Sequence, residues 1–239
     1  MNEFEIRTGV IKPVEIYKEA WGLIKGQYWL VFGIVIVGML VGSVIPVVLI
    51  GPMMCGIFMC LFCLTVGKPL KFEDVFNGFP FIWKSLPISL AIMAPILVFI
   101  VVIYIPMIGM AVAGSRMSES EVLPFIVGVL IFEMVFAVIM VCIHTLLMFA
   151  FPLVADRGIS AFEAIRLSAK AVWRNLAGMA GLLGVGMVVV FVGYLALCVG
   201  VYFTIPLIIM AQAVAYRKIF PARPPQFLDP PPPGIYPGV

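Results

Sequence analysis

The chain has 239 residues, of which 64% are hydrophobic and 11% are charged. Soluble globular domains have about 45 to 50% apolar and about 25% charged residues, so this composition excludes a water-soluble domain. The mean hydropathy of +1.20 agrees with that exclusion. The formal net charge of +3 is modest, and the basic residues gather in alternate loops, a pattern typical of membrane orientation and not of nucleic-acid binding.

Residues 1–26 predict a cytoplasmic segment that contains an interfacial helix. Tyr17, Ala20, Trp21 and Ile24 follow the spacing of one helix face, and the charged side chains fall largely elsewhere. Such a helix lies at the membrane surface, with Trp21 at headgroup level. The segment has neither a short apolar core nor a small-residue cleavage pattern, so the first span is expected to act as the targeting signal.

The first uncharged run, from Tyr28 to Val66, must turn back once. Its 39 residues would measure about 58 Å as a helix, nearly twice a hydrocarbon core of about 30 Å. The break is predicted at Gly51-Pro52, because proline disfavours helix in the residue before it, and Pro46 is the alternative. The two predicted spans are 28–49 and 51–66.

The polar stretch of residues 67–80 holds three phenylalanines and predicts a short amphipathic turn on the membrane surface. The third predicted span, 86–113, contains or borders Pro87, Pro95 and Pro106. Proline at membrane depth is tolerated only where neighbours satisfy the freed carbonyls, so a kinked helix packed against protein is expected.

The fourth predicted span, 123–152, holds Glu133 and His144 as its ionisable side chains other than cysteine. They are eleven residues apart, so they share a helix face but stand about 16 Å apart along it. One interpretation makes them two stations on a proton or cation path, each with a partner on another helix. The alternative is structural, with Glu133 protonated or hydrogen-bonded to a neighbouring helix and His144 a satisfied interface residue.

Gln212 is the third intramembrane polar candidate. Together with Thr145 and Thr204 it is expected to form hydrogen bonds between helices.

A capped amphipathic helix over 160–175 is the clearest local signal. Ser160 and Glu163 form an S-x-x-E capping box, which satisfies backbone donors at a helix start. The predicted apolar stripe consists of Phe162, Ile165, Ala169, Val172, Trp173 and Leu176.

Arg166, Lys170 and Arg174 form a basic ridge along this helix. The ridge predicts contact with an anionic leaflet, at about 1 kcal/mol for each basic residue near the surface. Lys18 and Lys25 on the first interfacial helix are further candidates for binding anionic lipid or a partner. The alternative is a solvated face over an ordinary packed helix.

The last uncharged run, Leu176 to Tyr216, has 41 residues and predicts a second hairpin. Its spans are 177–197 and 200–216, with the turn between Gly193 and Gly200. Residues 221–239 predict a disordered, proline-rich cytoplasmic tail, and partner docking through its PxxP patterns is the alternative.

Charge places one side of the six-span membrane domain, 27–220, in the cytoplasm. Fourteen of the fifteen basic residues fall on one side: Arg7, Lys12, Lys18, Lys25, Lys68, Lys71, Lys84, Arg157, Arg166, Lys170, Arg174, Arg217, Lys218 and Arg223. Only Arg116 falls on the other side. The positive-inside rule therefore predicts a multi-pass protein of the cytoplasmic membrane with both termini in the cytoplasm.

The two amphipathic helices align at an offset of 149, which pairs Ile16 with Ile165 and Ile24 with Trp173. Each precedes an uncharged run of similar length. One interpretation is a degenerate duplication, and the other is shared periodicity that matches by chance.

Catalytic and metal-binding patterns are absent from the sequence. Cys60 and Cys63 form a C-x-x-C, but it lies in an apolar span without a second ligand pair, so a packing role is expected. No nucleotide-binding, metalloprotease or serine-hydrolase motif occurs. The sequence predicts a non-enzymatic protein that needs no cofactor and no metal.

Three motifs carry a family resemblance: GKPLKFEDVFNGF, DRGISAFEAIRLSAKAVWRN and AVAYRKIF. They resemble a loose group of uncharacterised bacterial and archaeal six-span integral membrane proteins, which is similar to the membrane domain of glycerophosphodiester phosphodiesterases. The resemblance covers most of residues 10–220. It implies a helical membrane module and carries no catalytic residue, because the phosphodiesterase domain is not in this sequence.

These patterns predict an all-α, polytopic helical membrane protein that organises lipid or serves as an accessory or assembly subunit. Its expected partners are the lipid bilayer, anionic lipid headgroups, and a second copy or another membrane protein. No nucleic-acid partner is expected. The alternative function is a small transporter or channel with a proton or ion path past Glu133 and His144.

Overall fold

The computed structural model describes residues 6–113, 119–196 and 199–221, and that part of the chain is helical without strands. The helices are α1 (Pro13–Ile24), α2 (Tyr28–Val44), α3 (Pro46–Thr65), α4 (Ile82–Ala113), α5 (Glu119–Leu147), α6 (Ala150–Arg157), α7 (Ala161–Arg174), α8 (Leu176–Leu195) and α9 (Gly200–Ile219). Two 3₁₀ segments, Lys25–Gln27 and Phe72–Phe81, lie before α2 and α4. The predictions for Arg116 and for the tail over 222–239 fall outside the described residues.

Six segments of the described chain are long and apolar enough to cross a membrane, which confirms the predicted number of spans. They are Pro13–Val44, Pro46–Thr65, Phe72–Val112, Val122–Arg157, Leu176–Leu195 and Gly200–Ile219. The first, third and fourth have 32, 41 and 36 residues, more than the roughly 20 that cross a hydrocarbon core. The chain is a polytopic helical membrane protein.

The first hairpin turns at Ile45, so the predicted break at Gly51-Pro52 is wrong. Ile45 has φ −132° and ψ 84°, and Pro46 begins α3. Proline in a first helical turn loses no hydrogen bond, which favours this position for the break. Gly51 is instead a packing position inside α3, because a β-carbon there would lie 2.5 Å from the Ser85 hydroxyl oxygen.

The hydrophobic core lies at one end of the bundle, called the basic end because α6 and α9 finish there in basic residues. α1 lies against α8 and α9, while α6 lies against α3 and α7. Large aromatic side chains in this core are fully buried: Phe58, Phe149, Tyr216 and Phe220.

The 3₁₀ segment Phe72–Phe81 packs its backbone directly on α3. A β-carbon at Gly56 would overlap the Val75 carbonyl oxygen, and one at Gly78 would overlap the Pro52 carbonyl oxygen. Val75 is fully buried, whereas the three phenylalanines of the predicted amphipathic turn are each 39% exposed. One face of this segment therefore packs against the first hairpin, and the face that carries the phenylalanines is partly exposed.

Helices α4 and α5 form a hairpin that is largely exposed. Ser89 is buried near α3, but farther along α4 Leu97 and Tyr104 are 59% and 53% exposed. The expected protein-packed third span is thus wrong for most of its length, because α3 accompanies only the first turns of α4. The Phe99 and Phe136 rings join the two helices, stacked 5.6 Å apart at 4°.

Helix α7 begins at the predicted cap, where the Ser160 hydroxyl accepts the Glu163 N–H at 3.4 Å. The predicted apolar stripe is divided, since Phe162 and Trp173 are 77% and 71% exposed while Val172 is buried. Small residues pack the helix on the protein instead: Ala161, Ala164, Ser168 and Ala171.

Ser168 fastens α7 to the joint between α5 and α6. Its hydroxyl accepts the Phe149 N–H at 3.0 Å and donates to the Leu146 carbonyl at 2.6 Å. Both backbone groups belong to helix ends that lack an intrahelical partner.

The packed faces of α1 and α7 correspond at an offset of 148. Three buried positions match: Ile16 with Ala164, Ala20 with Ser168, and Ile24 with Val172. The predicted offset of 149 pairs buried Ile24 with exposed Trp173, so it is wrong by one residue for these faces. A common origin of the two halves stays a prediction.

Candidate functional site

The outer face of α7 combines an aromatic edge with a basic ridge. Arg166, Lys170 and Arg174 are exposed, and within the described residues none of them forms an ion pair. At about 100° per residue, Phe162 and Trp173 project beside the ridge and away from the packed small residues. This arrangement is typical of a helix at a membrane interface.

Helix α1 carries a smaller surface of the same kind. Lys18 and Lys25 are exposed, and Val14 and Trp21 beside them are 56% and 49% exposed. Trp21 therefore lies outside the packed face that holds Tyr17, Ala20 and Ile24. The two predicted binding surfaces belong to separate helices, α1 and α7.

An ion cluster around Asp156 is the main feature that the sequence did not predict. One carboxylate oxygen of Asp156 accepts the Arg157 Nε–H and the Tyr216 hydroxyl, each at 2.8 Å. The other accepts from Arg217 Nη1 at 2.7 Å. The Asp156, Arg157 and Arg217 side chains are only 11%, 8% and 16% exposed. The Arg217 guanidinium carbon also lies 4.0 Å from the Phe62 ring centroid.

A sequence signal for this cluster exists. Residues 154–157 read V-A-D-R and residues 214–217 read V-A-Y-R, so the tetrapeptides at the ends of the fourth and sixth spans match at three of four positions. The structure brings these two ends together, with Asp156 from one and Tyr216 and Arg217 from the other. With three donors on its two oxygens, the Asp156 carboxylate serves as a tie between helices rather than as a base or nucleophile.

Asn175 holds the chain before α1 against the α7–α8 joint. Its amide oxygen accepts the Gly9 N–H at 3.0 Å, and its amide nitrogen donates to the carbonyls of Arg7 and Ala171 at 3.1 and 3.0 Å. The Arg7 N–H in turn donates to the Ile219 carbonyl at 3.0 Å. The segment before α1 is thereby fixed to the end of α9.

Gln212 forms the predicted hydrogen bond between helices, because its amide nitrogen donates to the Met148 carbonyl where α5 gives way to α6. The two threonines do not follow that prediction. Thr145 donates to the Val141 carbonyl at 2.6 Å and Thr204 to the Val201 carbonyl at 2.7 Å, each within its own helix. A local carbonyl satisfies a hydroxyl without a neighbouring helix.

His144 lines a cavity of about 450 Å³, and Glu133 does not. The His144 Nδ1 lies 2.8 Å from the Met140 carbonyl, while Nε2 is buried and has no partner among the described residues. Glu133 is partly buried and likewise has no hydrogen-bond partner in the described part of the chain. The structure therefore does not join the two predicted stations through a shared cavity.

The Phe99–Phe136 ring contact predicts a register of α4 and α5 in which Glu133 lies level with a carbonyl that proline has freed. Pro106 lacks an N–H, so the Val102 carbonyl one turn before it loses its helical hydrogen bond. In antiparallel helices, the register that pairs Phe99 with Phe136 pairs Val102 with Glu133. A protonated Glu133 would be a donor suited to that carbonyl.

The same register predicts a corresponding place for His144, one proline earlier in α4. Pro95 frees the Ala91 carbonyl, and the same register pairs Ala91 with His144. The spacing of the two prolines in α4 thus equals the spacing of the two ionisable residues in α5.

Cys60 and Cys63 are free thiols within α3, and Cys60 is fully buried. Among the described residues, no group of three or more histidine, cysteine or acidic side chains is placed to hold a metal ion.

Comparison of the chain with protein-family models, curated proteins and solved structures gives no match. The resemblance to the membrane domain of glycerophosphodiester phosphodiesterases therefore stays a prediction.

Proposed function

We propose that this chain is a non-enzymatic, multi-pass protein of the cytoplasmic membrane that binds anionic lipid headgroups and organises lipid or holds a membrane complex together. The outer face of α7 carries the proposal, because exposed Phe162 and Trp173 stand beside Arg166, Lys170 and Arg174. Three basic residues near an anionic leaflet contribute about 3 kcal/mol of attraction.

The proposed orientation puts the basic end of the bundle and both termini in the cytoplasm. Its support is the fourteen-to-one distribution of basic residues between the two sides. The exposed α4–α5 hairpin supports the second part of the proposal, because it leaves a long apolar surface free for a second copy or another membrane protein.

One observation favours a transporter or channel as the second candidate function. His144 lines the 450 Å³ cavity, and its buried Nε2 has no partner among the described residues, as expected of a group on a proton path. In proteoliposomes, Glu133→Gln and His144→Ala should then abolish a pH-dependent flux. Wild-type flux no greater than that of empty liposomes eliminates this candidate.

Trp173 offers a direct test of the lipid-binding proposal, because it is 71% exposed on α7. Replacing Trp21, Trp29 and Trp83 by phenylalanine leaves it as the only tryptophan of the chain's four. The protein is reconstituted in mixed vesicles in which either the anionic or the zwitterionic phospholipid is brominated. Stronger quenching of Trp173 by the anionic lipid, at equal mole fraction, measures local enrichment.

The Arg166→Gln, Lys170→Gln, Arg174→Gln variant should reduce the quenching ratio to one. The matched control removes three basic residues elsewhere on the same side, by Lys12→Gln, Lys68→Gln and Lys71→Gln, and should keep the wild-type ratio. A wild-type ratio of one, or an equal loss in both triple variants, contradicts the proposed function.

A further inference from the structure

Two cavities together form one cleft between the α4–α5 hairpin and the α8–α9 hairpin. The larger cavity, about 620 Å³, is lined by α8, α9 and Tyr17. The smaller cavity, about 450 Å³, is lined mainly by α4 and α5. Met148 and Leu183 line both cavities, so the two are adjacent across these side chains.

The walls of the cleft are almost wholly apolar, but three of the residues that line it carry polar groups. Tyr17 and Gln212 line the larger cavity, and His144 lines the smaller one. Within the described residues, the Tyr17 hydroxyl and His144 Nε2 have no hydrogen-bond partner. An apolar cavity with a few unpaired polar groups is typical of a site for a small amphiphile.

The basic ridge of α7 comes directly before the helix that lines the cleft. α7 passes into α8 through Asn175 alone, so the exposed Arg174 lies two residues before the first turn of α8, and the exposed Lys170 lies one helical turn before Arg174. Leu176 and Leu183 are seven residues apart and therefore share a face of α8. That face runs from the start of α8 into the cleft.

We propose that the cleft binds one anionic diacyl phospholipid, with an acyl chain between the two hairpins and the phosphate at Lys170 and Arg174. This inference rests on the proposed function for its headgroup contact and adds a defined site to it. A partner helix about 10 Å wide and about 30 Å long is too large for cavities of 620 and 450 Å³, whereas an acyl chain fits them.

Selectivity must come from the headgroup, because an acyl chain gains little by leaving lipid for an apolar protein surface. Two basic residues near the phosphate predict an approximately thirtyfold preference for an anionic over a zwitterionic lipid, which corresponds to about 2 kcal/mol.

The experiment titrates delipidated protein in mild detergent with phosphatidylglycerol or phosphatidylcholine of identical chains and counts bound lipids by native mass spectrometry. Leu183→Trp fills the wall that both cavities share, and we expect it to weaken phosphatidylglycerol binding at least tenfold. Met187→Trp, at a cleft residue that is 61% exposed, repeats the test without burying the new ring in the core. The control is Val188→Trp, on the same helix and 62% exposed but outside the cleft lining, which should bind as wild type.

The headgroup arm uses Lys170→Gln with Arg174→Gln, which should lower phosphatidylglycerol affinity to that of phosphatidylcholine. Equal affinity of wild type for the two lipids, or equal binding by both cleft variants and the control, overturns the inference. If the cleft variants retain the lipid while Trp173 still reports enrichment, the cleft site fails and the proposed function stands. If Trp173 shows no enrichment of anionic lipid but the cleft variants still lose bound lipid, the proposed function fails and the cleft site stands.

Discussion

Single residues at the basic end compensate one another's buried charges. The Asp156 carboxylate receives donors from Arg157, Tyr216 and Arg217, and these side chains are almost excluded from solvent. Removing one partner of a buried ion pair is costly, because the remaining charges lose their compensation without regaining water. Asp156 therefore acts as a counter-ion shared by two nearly buried arginines.

We expect Asp156→Asn to lower the free energy of unfolding by about 3 to 5 kcal/mol, because the nearly buried Arg217 guanidinium then loses the carboxylate that it contacts. Thermal unfolding in mild detergent measures the change. Glu15→Gln is the control, since it removes the partner of Lys12 in an exposed pair 3.1 Å apart and should leave the unfolding temperature unchanged. Equal unfolding temperatures for the two variants contradict the role given to Asp156.

Glu133 gives a second prediction at this scale. If its protonated carboxyl bonds to the Val102 carbonyl, Glu133→Ala should cost about 1 kcal/mol, as hydrogen bonds between membrane helices do. In a Pro106→Ala background that cost should vanish, because residue 106 then donates to the Val102 carbonyl itself. Reversible unfolding in mixed detergent micelles measures all four members of the cycle. Pro95→Ala is the control background. If Glu133→Ala shows the same coupling energy with Pro95→Ala as with Pro106→Ala, the assigned register is ruled out.

Among the elements, α7 shows what local sequence can and cannot predict. The cap and the periodicity predicted a helix over 160–175, and α7 is Ala161–Arg174 between Ser160 and Asn175. The same signals did not predict which face meets the protein. In water the largest apolar residues turn inward, but lipid is as apolar as a protein core, so close packing of small residues decides the contact. Phe162 and Trp173 are consequently free to face the membrane.

The first hairpin was mispredicted for a related reason. Gly51 and Pro52 indicated a chain break, yet Gly51 is the residue that lets α4 approach α3. A glycine that serves close packing and one that ends a helix have the same sequence signature, and only the position of the neighbouring helix separates them. The Asp156 cluster escaped prediction because it depends on the α6 and α9 ends meeting in space.

The contact between α3 and the 3₁₀ segment Phe72–Phe81 gives a prediction at the element scale. We expect Gly56→Ala to destabilise the protein by about 1 to 3 kcal/mol, because the new methyl group would overlap the Val75 carbonyl oxygen and push the segment away. Gly184→Ala in α8 is the matched control, since open space surrounds that position and alanine favours helix. Thermal unfolding of both variants in detergent should show a loss only for Gly56→Ala.

The whole molecule has two unlike parts, a packed core at the basic end and the exposed α4–α5 hairpin. The number of spans was predictable from length and hydropathy alone, because a bilayer fixes how much apolar chain can cross it. The division into packed and exposed parts was not predicted, because it depends on which apolar helices meet in space. The proposed orientation places the core at the cytoplasmic face, where the basic residues lie.

Labelling tests that orientation in a variant whose native cysteines are replaced by alanine. We expect a membrane-impermeant maleimide to label Ser120→Cys in intact cells, because the α4–α5 turn then lies outside. Ser160→Cys, at the α7 cap, should react only after the membrane is opened. The reverse pattern inverts the proposed topology, and labelling of both sites in intact cells contradicts a single orientation.

The contact of the α1 segment with the end of α9 has a consequence for biosynthesis. The last three core residues that the ribosome delivers are Tyr216, Ile219 and Phe220, and Tyr216 and Phe220 are among the largest buried side chains. Until the end of α9 is synthesised, Asp156 lacks two of its three hydrogen-bond donors. The Arg7 N–H likewise lacks its acceptor, the Ile219 carbonyl. Closure of the core is therefore a late, post-insertion step. A stalled or truncated nascent chain would present an Asp156 carboxylate held by Arg157 alone, and an open apolar surface, to the quality-control proteases of the membrane.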